Sequence, residues 1–95
     1  MLLSEIEVKN RLKNLKDWDY QNNSLQKSFQ FKSFISLMGM VTKIGLISEK
    51  FDHHPDILIH GWNNLKITIS THSAGGVTKK DFHLLENIED LMNER

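Results

Sequence analysis

Ile57-Leu58-Ile59-His60-Gly61-Trp62-Asn63-Asn64-Leu65-Lys66-Ile67-Thr68-Ile69-Ser70-Thr71 is the stretch that decides the fold. From Leu65 onward, apolar Leu65, Ile67 and Ile69 alternate with polar Lys66, Thr68 and Ser70. A period of two residues puts one set on a buried face and the other toward water. Ile57 to His60 forms a second strand-like run, and Gly61 to Asn64 carries turn residues between them. Two such runs joined by a short turn predict an antiparallel hairpin.

A second hairpin is predicted upstream. Trp18 and Tyr20 lie in a short extended stretch, Asn22-Asn23 signals a turn, and Leu25, Lys27, Phe29 and Phe31 then share one face of a strand. Helices flank these pairs. Ser4-Glu5-Ile6-Glu7 is a capping box, after which Val8, Leu12 and Leu15 recur at helical spacing, predicting a helix from about Ser4 to Leu15. The period turns helical again from Lys32, with Phe34, Leu37, Met38, Val41 and Ile44 as the stripe and an end near Glu49. Gly39 and Gly45 each cost that helix roughly 1 kcal/mol relative to alanine, which burial of the apolar stripe must offset, and a glycine there allows close packing against a sheet. Thr78 caps a last helix whose stripe is Phe82, Leu85, Ile88, Leu91 and Met92. The order is α-β-β-α-β-β-α, an α+β fold with a four-stranded antiparallel sheet and helices packed on one face.

With 95 residues, the chain suits one domain over 1–95. Twelve basic and twelve acidic residues cancel, so no cationic excess draws it to nucleic acid or anionic lipid. The apolar runs are too short to span a bilayer, and Ser4 and Glu5 interrupt Met1-Leu2-Leu3 too early for a secretory signal. There is no cysteine, hence no disulfide or thiolate chemistry. A cytoplasmic location agrees with that composition.

The chemistry-bearing segment is Glu49-Lys50-Phe51-Asp52-His53-His54-Pro55-Asp56, joined by His72 at the end of the long strand. Imidazole is the side chain whose ordinary pKa lies nearest neutrality, and carboxylates at Glu49, Asp52 and Asp81 can orient it. Acid–base transfer by such groups is worth about 10²–10⁴-fold in rate. Zinc is the competing reading, but adjacent histidines rarely chelate one ion together, and no i, i+4 histidine pair is present. Ordinary surface or packing histidines are the third. Asp81 stands at the third position of a helix, where capping accounts for a carboxylate by itself. Trp62, Phe29, Phe31 and Phe34 read as core, His60 and His83 as structural, and Gly75-Gly76 as a turn.

The spacing of these residues resembles the pterin-4a-carbinolamine dehydratases, also known as dimerisation cofactors of a homeodomain factor. The family pattern has a charged residue three intervening positions before His-His-Pro, an aromatic five or six further on, a His or Trp after nine more, then an Asp. Glu49, His53, His54, Pro55, Trp62, His72 and Asp81 satisfy every interval. Ser70-Thr71-His72, Thr78-x-x-Asp81 and Phe29-Gln30-Phe31-Lys32-Ser33-Phe34 also look like the family. The resemblance extends from about Trp18 to the last helix.

That resemblance implies a dehydratase that removes water from 4a-hydroxytetrahydropterin to give quinonoid dihydropterin, in recycling of a tetrahydrobiopterin-type cofactor, with no metal and no organic cofactor. It implies His53, His54, His72 and Asp81 as the catalytic set: His53 and His72 exchanging protons, His54 binding or orienting the pterin, Asp81 assisting. Glu49, Asp52, Pro55, Thr71 and Ser73 would shape the substrate pocket. Ile57, where many members carry an aromatic, and Ser73, where some carry a larger or acidic residue, bear on pocket contacts and substrate preference. The family implies a homodimer or homotetramer, with edge strands pairing across subunits. The rival readings are a non-catalytic oligomerisation or assembly partner with the same fold, and a pterin enzyme of another pathway such as molybdopterin metabolism.

Overall fold

The computed structural model describes residues 1–94. Helix α1 (Glu5–Leu12) starts at the capping box read from the sequence: Ser4 Oγ accepts from the Glu7 amide at 3.2 Å, and the Glu7 carboxylate accepts from the Ser4 amide at 2.9 Å. It stops before Leu15, which packs on the core from the turn that follows. Strands β1 (Asp19–Gln21) and β2 (Ser24–Gln30) meet at Asn22-Asn23, both at positive φ (51° and 58°), the geometry a two-residue hairpin turn demands and asparagine tolerates.

Helix α2 (Phe34–Phe51) is capped by Ser33, whose Oγ accepts from the Ser36 amide at 3.1 Å. It begins two residues later than its periodicity suggests, because Lys32 and Ser33 precede the first turn, and it runs two residues past Glu49. Strands β3 (Asp56–His60) and β4 (Asn64–Ile69) form the second hairpin, and Thr71 lies beyond it in an isolated bridge with Gly76. A single 3-10 turn (His72–Ala74) leads to helix α3 (Lys79–Asn93).

The sheet order is β1-β2-β4-β3, every neighbour antiparallel. Leu25 pairs with Ile69 and Phe29 with Leu65 across the two central strands, so the alternating residues of β2 and β4 point to one face. Leu25, Leu65, Ile67 and Ile69 are sealed there with Val8, Leu37, Ile44, Leu85 and Ile88 from the helices. Complete burial of an aliphatic side chain stabilises by about 1.5–3 kcal/mol, which makes this layer the main source of stability.

The buried stripe of α2 differs from the expected one. Leu37, Met40, Ile44 and Ser48 face the core, Val41 is half-buried, Met38 is exposed, and Phe34 is 51 % exposed. Trp62, read as core, is 58 % exposed in the β3–β4 turn. Gly39 and Gly45 would have nothing within 4 Å of an added Cβ, so close packing against the sheet does not account for them.

Candidate functional site

The α2 C-terminus and the α3 N-terminus bring the distant residues together. Asp52 closes α2 in the left-handed region (φ 50°, ψ 44°), and its amide donates back to Glu49 and Ser48 carbonyls. That reversal turns the chain out of the helix at His53. Asp52 therefore sets the course of the chain at His53 through its backbone; its side chain is exposed. Pro55 follows, half-buried, as the chain enters β3.

At the other end, Thr78 and Asp81 form a capping box. Asp81 is 0 % exposed and spends both oxygens. Oδ2 accepts from the Thr78 amide at 2.7 Å and from Thr71 Oγ1 at 2.8 Å, while Oδ1 meets His53 Nε2 at 2.5 Å. Thr71 and Thr78 hydroxyls also bond each other at 2.9 Å. The His53 side chain is 12 % exposed. Capping and orienting a histidine are thus compatible, because the two tasks fall on different carboxylate oxygens.

The geometry fixes a tautomer. A carboxylate oxygen only accepts, so His53 Nε2 carries the proton, and in the neutral ring Nδ1 holds the lone pair. Thr71 and Thr78 are themselves aimed by the Thr71–Gly76 bridge and the start of α3. A buried carboxylate whose partners are all in place holds its geometry; no buried side-chain N or O among the described residues lacks a hydrogen-bond partner.

His54 points the other way, as adjacent residues in extended chain do. Its Nε2 meets Glu49 Oε2 at 2.5 Å in an open pair, with side chains 56 % and 77 % exposed. His72 is exposed in the 3-10 turn directly after Thr71. No hydrogen bond or ion pair among the described residues joins the His72 ring to His53 or His54. Ser73 is exposed beside it. The structure therefore joins His53, Thr71 and Asp81, pairs Glu49 with His54, and leaves His72 and Ser73 next to that network through the backbone of Thr71. Thr78 belongs to the network as well; Thr-x-x-Asp marked it as a cap, but nothing local shows that its hydroxyl reaches Thr71.

A cavity of about 460 Å³ lies between the first residues of the chain, the turn around Ser73, and the start of α3; Thr71 and Thr78 form part of its wall. A larger hollow of about 740 Å³ lies between Phe31 and Met40, away from the histidines. None of His53, His54 and His72 lines either one. Among the described residues, no group of three or more His, Asp or Glu is placed to hold a metal ion, and no helix is long and apolar enough to cross a membrane.

A small α+β domain with a histidine held by a buried, doubly anchored aspartate is a frame suited to proton transfer. The family model for pterin 4 alpha carbinolamine dehydratase matches residues 1–91, and the chain belongs to that family. It is 44 % identical over 91 residues to the "Putative pterin-4-alpha-carbinolamine dehydratase" of Sulfolobus acidocaldarius, covering 96 % of this chain and 99 % of the relative. A protein of the same name from Roseiflexus sp. is 40 % identical over 90 residues, 95 % and 96 % of the two chains. Among solved structures, the transcriptional coactivator/pterin dehydratase of Brucella melitensis superimposes with a TM-score of 0.88 at 30 % identity, over 95 % of this chain and 97 % of that one. A pterin dehydratase-like RuBisCO assembly factor of the alpha-carboxysome shares the fold with a TM-score of 0.64 at 19 % identity, over 78 % and 84 %.

Proposed function

We propose that this chain dehydrates 4a-hydroxytetrahydropterin, in a cytoplasmic sequence that recycles a tetrahydropterin cofactor. The observation that carries the reading is the His53–Asp81 contact, with the carboxylate locked by Thr71 and Thr78. The reaction asks for two proton movements. The C4a hydroxyl must gain a proton to leave as water, and N5 must lose one as the C4a–N5 double bond forms. The product is the quinonoid dihydropterin plus water, with no redox change, so acid–base groups alone balance it.

In this mechanism His53 Nδ1 takes the N5 proton, since Asp81 occupies Nε2 and leaves the Nδ1 lone pair free. The exposed His72 protonates the departing hydroxyl, and His54, steadied by Glu49, orients the pterin ring. Asp81 is a positioning residue that acts through His53. Thr71 holds Asp81, Asp52 and Pro55 steer the histidine segment, and Ser73 borders the substrate.

Exposed apolar surface on β3 and α2 supports assembly into a homodimer or homotetramer. β3 is a sheet edge, and its outer residues Ile57 and Leu58 are exposed. Unpaired apolar edges invite a second strand. On α2, Ile35, Met38 and Leu46 form an exposed apolar row. A homodimer through β3, or a tetramer using α2 as well, covers both. Leu58→Lys should lower the mass found by sedimentation equilibrium; an unchanged mass rules out the β3 edge.

The direct test is to release the carbinolamine with an aromatic amino-acid hydroxylase and follow its dehydration spectroscopically. Purified protein accelerates it, and His53→Ala and His72→Ala each slow it by about a hundredfold or more. A rate equal to that in buffer rejects the activity and leaves the assembly-partner reading, which needs no histidine set.

A further inference from the structure

The cavity of about 460 Å³ at the start of α3 has a chemistry the dehydration itself does not use. It has the volume of a small-molecule site. Thr71 and Thr78, the two residues that hold Asp81, form part of its wall, so it shares two residues with the network that orients His53. Its rim carries Lys79 and Lys80, both exposed, and neither forms an ion pair with a carboxylate among the described residues.

Two neighbouring facts bear on that charge. Cations in the first turn of a helix oppose its dipole, so α3 gains nothing from lysines at its first two positions. The one carboxylate on the rim among the described residues, Glu7, is already engaged: two bonds with Ser4 are the main reason its pKa is lowered, with Arg11 and then Lys79 adding to it. Glu7 therefore remains an anion and offsets only one of the two lysines. Ser73 lines the cavity and its hydroxyl makes no protein hydrogen bond among those described, whereas the Thr71 and Thr78 hydroxyls are occupied.

We infer that this cavity receives the side chain of the pterin, and that the side chain ends in an anion, a phosphate monoester or a carboxylate, held by Lys79, Lys80 and the Ser73 hydroxyl. The inference rests on the proposed pterin site, since it places the ring at the histidines and the C6 substituent over Thr71 and Thr78. It assigns a preference that the ring chemistry leaves open, because water leaves from C4a whatever the tail.

The test uses stable 7,8-dihydropterins that differ only at the end of the C6 chain: a free hydroxyl, its phosphate monoester, and a carboxylate. Binding to the full chain is followed by fluorescence. The phosphate or carboxylate form should bind about tenfold more tightly than the hydroxyl form at low salt, with the advantage shrinking in about 0.5 M salt. In Lys79→Gln/Lys80→Gln the ratio should fall to near one, and Lys79→Arg/Lys80→Arg should retain it. The Ser73 amide resonance should shift only with the anionic tails. Comparing the two anionic arms tells phosphate from carboxylate. Equal affinity for charged and neutral tails, or a preference that survives the double glutamine variant, overturns the inference while leaving the dehydratase reading intact. Failure of every dihydropterin to bind overturns both.

Discussion

Asp81→Asn tests the site more sharply than any truncation. In the native chain Oδ2 accepts from the Thr78 amide and the Thr71 hydroxyl, and Oδ1 faces His53 Nε2. Asparagine has the same shape. With its carbonyl oxygen in the Oδ2 position, the cap and the Thr71 bond survive, and the NH2 group falls opposite His53. Two donors cannot share one hydrogen bond, so Nε2 must become the acceptor and the proton must move to Nδ1. Replacing charge-assisted bonds by neutral ones costs about 1–2 kcal/mol. The chain stays folded, but the nitrogen proposed to take the substrate proton now carries one of its own and cannot take another. Turnover should fall by about 10²–10⁴-fold.

Two measurements check this: ¹⁵N shifts of the imidazoles, which report the tautomer, and urea unfolding. Asp81→Ala is the companion. It orphans the buried Thr78 amide and removes one of two Thr71 partners, for a loss of roughly 2–4 kcal/mol, while the partly exposed His53 finds water instead. An Asn variant that keeps the Nε2–H tautomer, or that retains native turnover after the tautomer has switched, refutes the proton-routing argument.

Other substitutions separate stability from chemistry. Asp52→Gly should leave the melting temperature unchanged or raised, since glycine adopts φ 50° freely, whereas Asp52→Val should cost about 1–2 kcal/mol and misdirect His53. His54→Ala should change stability by less than about 1 kcal/mol in urea, because its pair with Glu49 is open to water, yet weaken pterin binding. Ile67→Ala, fully buried on β4, should cost about 2–5 kcal/mol; a value below 1 kcal/mol argues against the sheet–helix layer as the stability source.

How much was legible depended on the range of the interaction. Ser4-x-x-Glu7 and Thr78-x-x-Asp81 are caps closed within one helical turn, and both appear where their spacing puts them. The alternation of Leu65, Ile67 and Ile69 also survives intact. The α2 stripe did not. That helix is apolar on more than one side, so periodicity alone cannot choose between a face through Phe34 and Met38 and one through Met40 and Ser48. Contact with the rest of the chain chose the latter. Trp62 misleads for a related reason: large aromatics are usually buried, but this one stands in a turn at the end of the edge strand.

By itself the sequence determined the element order, the hairpins, the caps and a motif running from Glu49 to Asp81 whose intervals match one family. Those are properties of neighbours along the chain or of fixed spacing, and they need no knowledge of who meets whom. Tertiary structure alone decided that His53 and Asp81, 28 positions apart, meet at hydrogen-bond distance, that Thr71 and Thr78 lock the carboxylate from two segments, and that His54 turns to Glu49 instead. A hydrogen bond requires its partners within about 3 Å and in line. Only the packing of α2 and α3 beside the sheet brings those atoms that close.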